Sequence, residues 1–245
     1  MFSQPQIYNI SSQKLQDQLF FDYICSDMSN NYYWSEDWSE SFYIELACAG
    51  FICTTYNSKD SLVLLPELQF NYAILDFKNL HISHKVKTLI NKNDYIFCIN
   101  TRFDEVLKKI DSKHKYNWLK DEYVELLKKL FRSNTQEKNF KIVSVEVICK
   151  NTDELISGEI GYIIGKTYTS LSGFSSKEKK YANYGNLQLV LLSKFLEKKG
   201  FIFWNLGHPH MEYKKRLGCE VYTREFFLKR WKEAVVLPMI YPYLI

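Results

Sequence analysis

Between Lys141 and Gly207 the chain switches hydrophobic period twice, and nothing else in the sequence limits its fold so tightly. KIVSVEVICK alternates as a strand. The turn NTDEL leads into LISGEIGYIIGKTYTSLSGFS, which reads as two or three strands punctuated by Gly158, Gly161 and Gly165. NLQLVLLSKFLEKKG then repeats at helical spacing and stops at Gly200, a residue suited to the position just past a helix end. FIFWNLG reads as a buried strand, and MEYKKRLGCEVYT as a short helix and a last strand. A period of two and a period of 3.6 bury different faces, so this segment is expected to build a mixed α/β layer structure.

Upstream, residues 1–40 are polar and aromatic, with SNNYYWSEDWSES as a loop-like run. Phe42, Leu46 and Ala49 recur at helical spacing, with Gly50 as a stop. ICTTY, SLVLLPEL and YAILDF read as short strands, the first two separated by the turn signal NSKD. Residues 1–79 are therefore expected to form a small N-terminal α+β domain, with 80–245 as the main domain. In the latter, HISHKVKTLINKN is a basic helix candidate and YIFCINT a strand. Two amphipathic helices follow, one with Phe103, Val106, Leu107 and Ile110 on its apolar side, the other with Tyr123, Leu126, Leu127 and Leu130.

A hydrophobic content of 46% with 24% charged residues rules out wholesale disorder. The net charge of +4 permits an anionic partner such as RNA without demanding one. The six cysteines form no CxxC pair and match no zinc-site spacing with histidine, so no metal is expected. No secretory leader and no apolar run long enough to span a bilayer is visible, so a cytoplasmic protein with no membrane partner is expected. A monomer is the expected state.

Residue identities carry the reading further. SVEV, then ELISGEIGYIIGKTYTSLSGFS, resembles the leucyl/phenylalanyl-tRNA–protein transferase pattern, in which SVEVW precedes a GELVGGLYG-like hairpin and a GESMFS-like turn. Val145, Glu146, Val147, Glu154, Leu155, Gly161, Gly165, Ser172, Phe174 and Ser175 fall in register. Asn183 takes the place of the asparagine that opens that family's next helix, and FIFWNLG that of its LIDCQ strand. Leu217-Gly218 matches SLGA, and Thr223-Arg224 stands where PRxxF begins. Upstream, Leu80 to Ser83 reproduces LHIS, Tyr95 to Val106 resembles YxVTxNxAFxxVI, and Asn117-Trp118-Leu119 stands at TWI. The order of elements also fits the acetyltransferase-like fold, a mixed sheet with flanking helices in which two central strands splay apart to open a cleft.

The resemblance implies transfer of a Leu- or Phe-like residue from a charged tRNA to the N-terminus of an acceptor protein, marking it for degradation. The partners implied are aminoacyl-tRNA and that N-terminus. The ester is already activated, so no cofactor is implied. Where the family carries an aspartate and, two residues later, a glutamine, this chain has Asn205 and Gly207; the family's turn glutamate falls on Leu171. Asn205 can still orient an amine, and His208 and His210, directly after that strand, are the expected proton acceptors. Tyr168, Gly173, Phe174 and Trp204 match the family's apolar side-chain pocket, and Trp118 its adenosine-stacking tryptophan. The altered polar positions leave two other functions open: an acyl-CoA-dependent acyltransferase of the same superfold, and a non-catalytic binding descendant.

Overall fold

In a computed structural model, which describes residues 7–58, 61–113, 118–133 and 138–239, the alternating segments form one seven-stranded sheet. Asn117, half of the NSKD turn and the end of the C-terminal tail lie outside the described residues. The strands are β1 (Tyr8–Asn9), β2 (Tyr33–Trp34), β3 (Ile52–Asn57), β4 (Leu62–Glu67), β5 (Asn71–Leu75), β6 (Tyr95–Ile99), β7 (Phe140–Cys149), β8 (Leu155–Ile164), β9 (Thr167–Ser175), β10 (Phe203–Asn205) and β11 (Glu220–Thr223). The helices are α1 (Ser12–Gln16), α2 (Gln18–Ser26), α3 (Glu40–Cys48), α4 (His84–Lys92), α5 (Phe103–Lys113), α6 (Asp121–Arg132), α7 (Tyr184–Lys198), α8 (Glu212–Leu217) and α9 (Arg224–Val235).

The sheet runs β11-β5-β10-β9-β8-β7-β6. β6 to β9 pair antiparallel; β7–β8 and β8–β9 are joined by the short turns this geometry allows, while α5 and α6 lie between β6 and β7. β10 instead pairs parallel to β9, because the chain between them crosses over through α7. Both faces are covered. Phe140 and Ile142 of β7 point into a core shared with α3, α5, α6 and α9, while Val143, Val145 and Val147 point into a second core with α4 and α7. β8 lies between these layers with all ten residues buried.

The expected division at residues 79/80 falls after β5, yet β5 is an inner strand of the large sheet, between β10 and β11. The β3–β4 hairpin and the β1–β2 ladder form separate small sheets. Arg224, the first residue of α9, ties the N-terminal segment down. It is 1% exposed and donates to the carbonyls of Gln69, Ile24, Asp27, Asn30 and Leu68. Glu146 of the SVEV motif plays a comparable part at the β6–α5 turn. Its buried carboxylate accepts from the Arg102 backbone N–H at 3.3 Å, Thr101 Oγ1 at 3.3 Å and Ser144 Oγ at 2.5 Å. It satisfies a donor at the start of α5 that has no partner within the helix.

Two local irregularities shape the centre of the sheet. Between β8 and β9, Ile160 pairs with Ser172 but Gly161 pairs with Ser170, so Leu171 is an extra, bulged residue. Gly161 lies under the Tyr168 ring, and a Cβ there would collide with the Tyr168 hydroxyl. Only glycine lets that ring cross the strand.

Candidate active site

β10 follows β9 for three registered pairs, Phe203 with Thr167, Trp204 with Tyr168 and Asn205 with Thr169, and then ends. β9 continues to Ser175 without it. The gap is a cleft of about 700 Å³. One wall is the free half of β9, Ser170 to Ser175; the other is Leu206 with Met211, Tyr213 and Lys214 around α8. Asn183, Gly185, Asn186, Gln188 and Leu189 bring the start of α7 to it, and Trp118 and Lys113 stand on the α5–α6 side.

Of the residues singled out from the sequence, Trp118, Leu171, Gly173 and Phe174 line this cleft. The bulge places Leu171 there, half-buried, where the regular alternation of a strand would turn it aside. Trp118 packs edge-on against Tyr123 at 5.2 Å between ring centres and keeps part of its ring exposed.

Tyr168 and Trp204 lie behind the wall, in the second core. Only their polar tips reach toward the cleft. Trp204 Nε1 donates to Ser170 Oγ at 2.9 Å, and Tyr168 Oη donates to Glu159 Oε1 at 2.7 Å. Asn205 is buried beneath the loop that follows it. Its Oδ1 accepts from the Gly207 N–H at 2.9 Å, and its Nδ2 donates to Thr169 Oγ1 at 3.4 Å. Gly207 has φ +72°, the left-handed turn that the side-chain bond from Asn205 closes. His208 turns to the N-terminal side, where Nε2 meets the buried Glu67 carboxylate at 2.8 Å. The His210 ring lies 5.9 Å from that of His208. None of Asn205, Gly207, His208 and His210 is among the cleft-lining residues.

The polar centre of the cleft is built from residues the motifs did not mark. Glu159, on β8 opposite Gly173, is 4% exposed. Its Oε1 accepts from Tyr168 and from Ser170 Oγ at 2.8 Å, and its Oε2 accepts from Gln188 Nε2 at 3.1 Å. Burial pushes this carboxyl above its ordinary range, and those three hydrogen bonds and the nearby Lys214 charge pull it back in part. Lys214, on α8, is 5% exposed. Its Nζ donates to the carbonyls of Leu206 at 2.5 Å and His208 at 2.6 Å. Burial lowers its ammonium to about 8. A glutamate in the middle of an otherwise apolar strand was the one visible signal for this centre, since a charge is rarely buried there without partners. Lys214 had no comparable signal, because KKR on a short helix looks like solvated surface.

A mixed sheet whose one parallel pair stops short at a cleft, with a crossover helix starting at its edge, is an acetyltransferase-like α/β fold. The leucyl/phenylalanyl-tRNA protein transferase family model matches residues 74–232, and the chain belongs to this family. It is 30% identical over 173 residues to the leucyl/phenylalanyl-tRNA–protein transferase of Pseudoalteromonas atlantica, covering 68% of this chain and 67% of that one. To the enzyme of the same name from Maridesulfovibrio salexigens it is 28% identical over 171 residues, covering 68% and 66%. The chain thus spans about two thirds of the length of these relatives. Among solved structures, FemX is similar with TM-score 0.44 and 12% identity, over 73% of this chain and 65% of that one. A tandem GNAT protein from the clavulanic acid biosynthesis pathway is similar with TM-score 0.39 and 8% identity, over 84% and 68%.

Proposed function

We propose that this protein transfers an aminoacyl group from the 3′ end of a charged tRNA to the α-amine of an acceptor protein, and that the cleft between β9 and β10 is where it happens. The observation that supports this best is the pairing of an aromatic mouth, Trp118, with a half-apolar, half-polar cleft in a chain of the transferase family. The reaction forms one bond and breaks one. The amine nitrogen attacks the ester carbonyl, the carbon–oxygen bond to the terminal ribose breaks, and the amine's proton passes to the leaving hydroxyl. No external energy source is needed, because the ester is the activated species.

In this reading Trp118 stacks on the terminal adenosine, and Leu171, Phe174, Leu189 and Leu206 form the apolar wall around the aminoacyl group. Lys214 is the proton acceptor. In its neutral form it keeps two N–H bonds to the Leu206 and His208 carbonyls and turns a lone pair outward. An ammonium near 8 is poised for that exchange close to neutral pH. Asn205 and His208 then act as positioning residues: Asn205 pins the Gly207 turn, and His208 supplies one of the two carbonyls. The rim lysines Lys108, Lys109, Lys113 and Lys177, beside Phe174 and Ser175, face the tRNA phosphates.

The test is transfer of labelled amino acids, each supplied on charged tRNA, to peptides with a basic N-terminal residue. Transfer from at least one donor is expected. The rate should rise with pH to a plateau with an apparent pKa near 8, and Lys214→Met should lower it on the order of a hundredfold. No transfer from any donor would sink the proposal. An unchanged pH profile in Lys214→Met would remove the lysine from the chemistry.

A further inference from the structure

A pocket for a purely hydrocarbon side chain has no use for an ionisable group at its floor. Here the floor is Glu159. An ionised carboxylate has room for about four hydrogen bonds. Three are made inside the protein: two at Oε1, from Tyr168 and Ser170, and one at Oε2, from Gln188. One acceptor position on Oε2 is left over. Gln188 itself lines the cleft and is 3% exposed, and its Oε1 is buried with no hydrogen-bond partner among the described residues. A buried acceptor without a donor is costly, on the order of 1–3 kcal/mol. The partnerless Gln188 Oε1 and the open position on Glu159 Oε2, on neighbouring cleft residues that already touch each other, describe half of a binding site.

The surroundings keep this centre where it is. Tyr168 and Trp204 are fully buried, and the Trp204 Nε1–Ser170–Glu159 chain holds the carboxylate from behind. Gly173, directly opposite Glu159 across the β8–β9 ladder, carries no side chain that would cover it. Lys214 also lines the cleft, but its Nζ is directed to two backbone carbonyls, so it does not fill the open acceptor positions.

We infer that the cleft selects an aminoacyl group whose side chain ends in N–H donors, an amide or a cationic nitrogen, which reaches the floor to bond Glu159 Oε2 and Gln188 Oε1. This rests on the aminoacyl-transfer reading above. Apolar walls at Leu171, Phe174 and Leu189 accommodate the methylene stem of such a side chain, and its polar end meets the two acceptors. A leucyl or phenylalanyl group would leave Gln188 Oε1 buried without a donor and the last position on Glu159 Oε2 unfilled, the situation in which a polar site rejects an apolar analogue most strongly.

The experiment measures binding to the full-length protein of stable adenosine analogues in which the amino acid is joined to the 3′ carbon through an amide. The panel carries Leu, Phe, Gln, Lys and Arg. At least one of the Gln, Lys and Arg analogues is expected to bind tenfold or more tighter than both the Leu and Phe analogues. The tightest of the three tells an amide from a cationic side chain. Leu or Phe binding as tightly as, or tighter than, all three overturns the inference and leaves the transferase reading standing. No binding by any analogue overturns both. The wild-type comparison needs no variant. As a second measurement, Gln188→Leu, which removes the unpaired acceptor together with one donor to Glu159, should cut the preference at least threefold. An unchanged preference there, or one that rises, counts against the site.

Discussion

At Lys214 the fold buries an ammonium, and its proton responds to that burial. The folded protein releases the proton at about 8, against 10.5 for an ordinary lysine. Between those values the unfolded chain binds more protons than the folded one, so stability rises with pH across that window. Below pH 8 the full burial penalty is present. Lys214→Met is expected to flatten the rise between pH 8 and 10.5 relative to wild type, followed by urea unfolding at several pH values; parallel curves would refute the assignment. Gly161 offers a second test at this scale. An added methyl would meet the Tyr168 hydroxyl and, at 2.5 Å, the Thr169 carbonyl. Gly161→Ala should cost about 1–3 kcal/mol, as overpacking of a core does. It should also weaken ligand binding in the cleft, because Tyr168 holds Glu159. A variant as stable as wild type in thermal unfolding would show that the ring can move aside.

Among the elements, α9 is held to the N-terminal segment mainly by the Arg224 hydrogen bonds, with Trp231 Nε1 adding one to the Cys48 carbonyl at 2.8 Å. Arg224 donates to five carbonyls spread over α2, the loops that follow it and the β4–β5 connection. Arg224→Met would leave several of these buried acceptors unpaired. A loss of at least about 3 kcal/mol is expected in denaturant melts, with faster proteolysis in the N-terminal segment. Cleavage spread evenly along the chain would argue against this local role. The helices α3 to α8 and the long strands were legible beforehand because each has its own period, whereas α1, α2 and α9 were not read from the sequence. Phe103, Val106, Leu107 and Ile110 of α5 are all buried, as are Tyr123, Leu126, Leu127 and Leu130 of α6. The place of β5 was not legible. YAILDF reads as a strand anywhere, and its neighbours β10 and β11 come more than a hundred residues later in the chain.

Over the whole molecule, the α5 side of the cleft carries both signs of charge, with Glu105, Glu154 and Glu178 among its lysines. Those lysines are Lys108, Lys109, Lys113 and Lys177. Burial, and after it the nearby Lys177 charge, lowers the Lys113 ammonium below its ordinary value. Binding tRNA phosphates there would release counterions, so charged-tRNA affinity should fall steeply with salt. Replacing Lys108 and Lys177 by Gln should lower the slope of log affinity against log salt by about 0.7–0.9 for each phosphate left without its lysine. An unchanged slope would place the tRNA elsewhere, for example on the α4 face with Lys85 and Lys87.

What the sequence determined by itself was most of the elements from α3 to β11, and the family. Both rest on local order: periodicity, turn residues, and motifs read in succession along the chain. The residues at the polar centre needed the tertiary structure. Glu159, Gln188 and Lys214 lie on β8, α7 and α8, and they meet only because α7 crosses over to set β10 parallel beside β9. The same crossing turned His208 toward Glu67 and Asn205 toward its own loop, although both follow the strand that pattern alone marks as the site. Position along a strand is a local property; which side chains share a cleft depends on how distant strands pair and where that pairing ends.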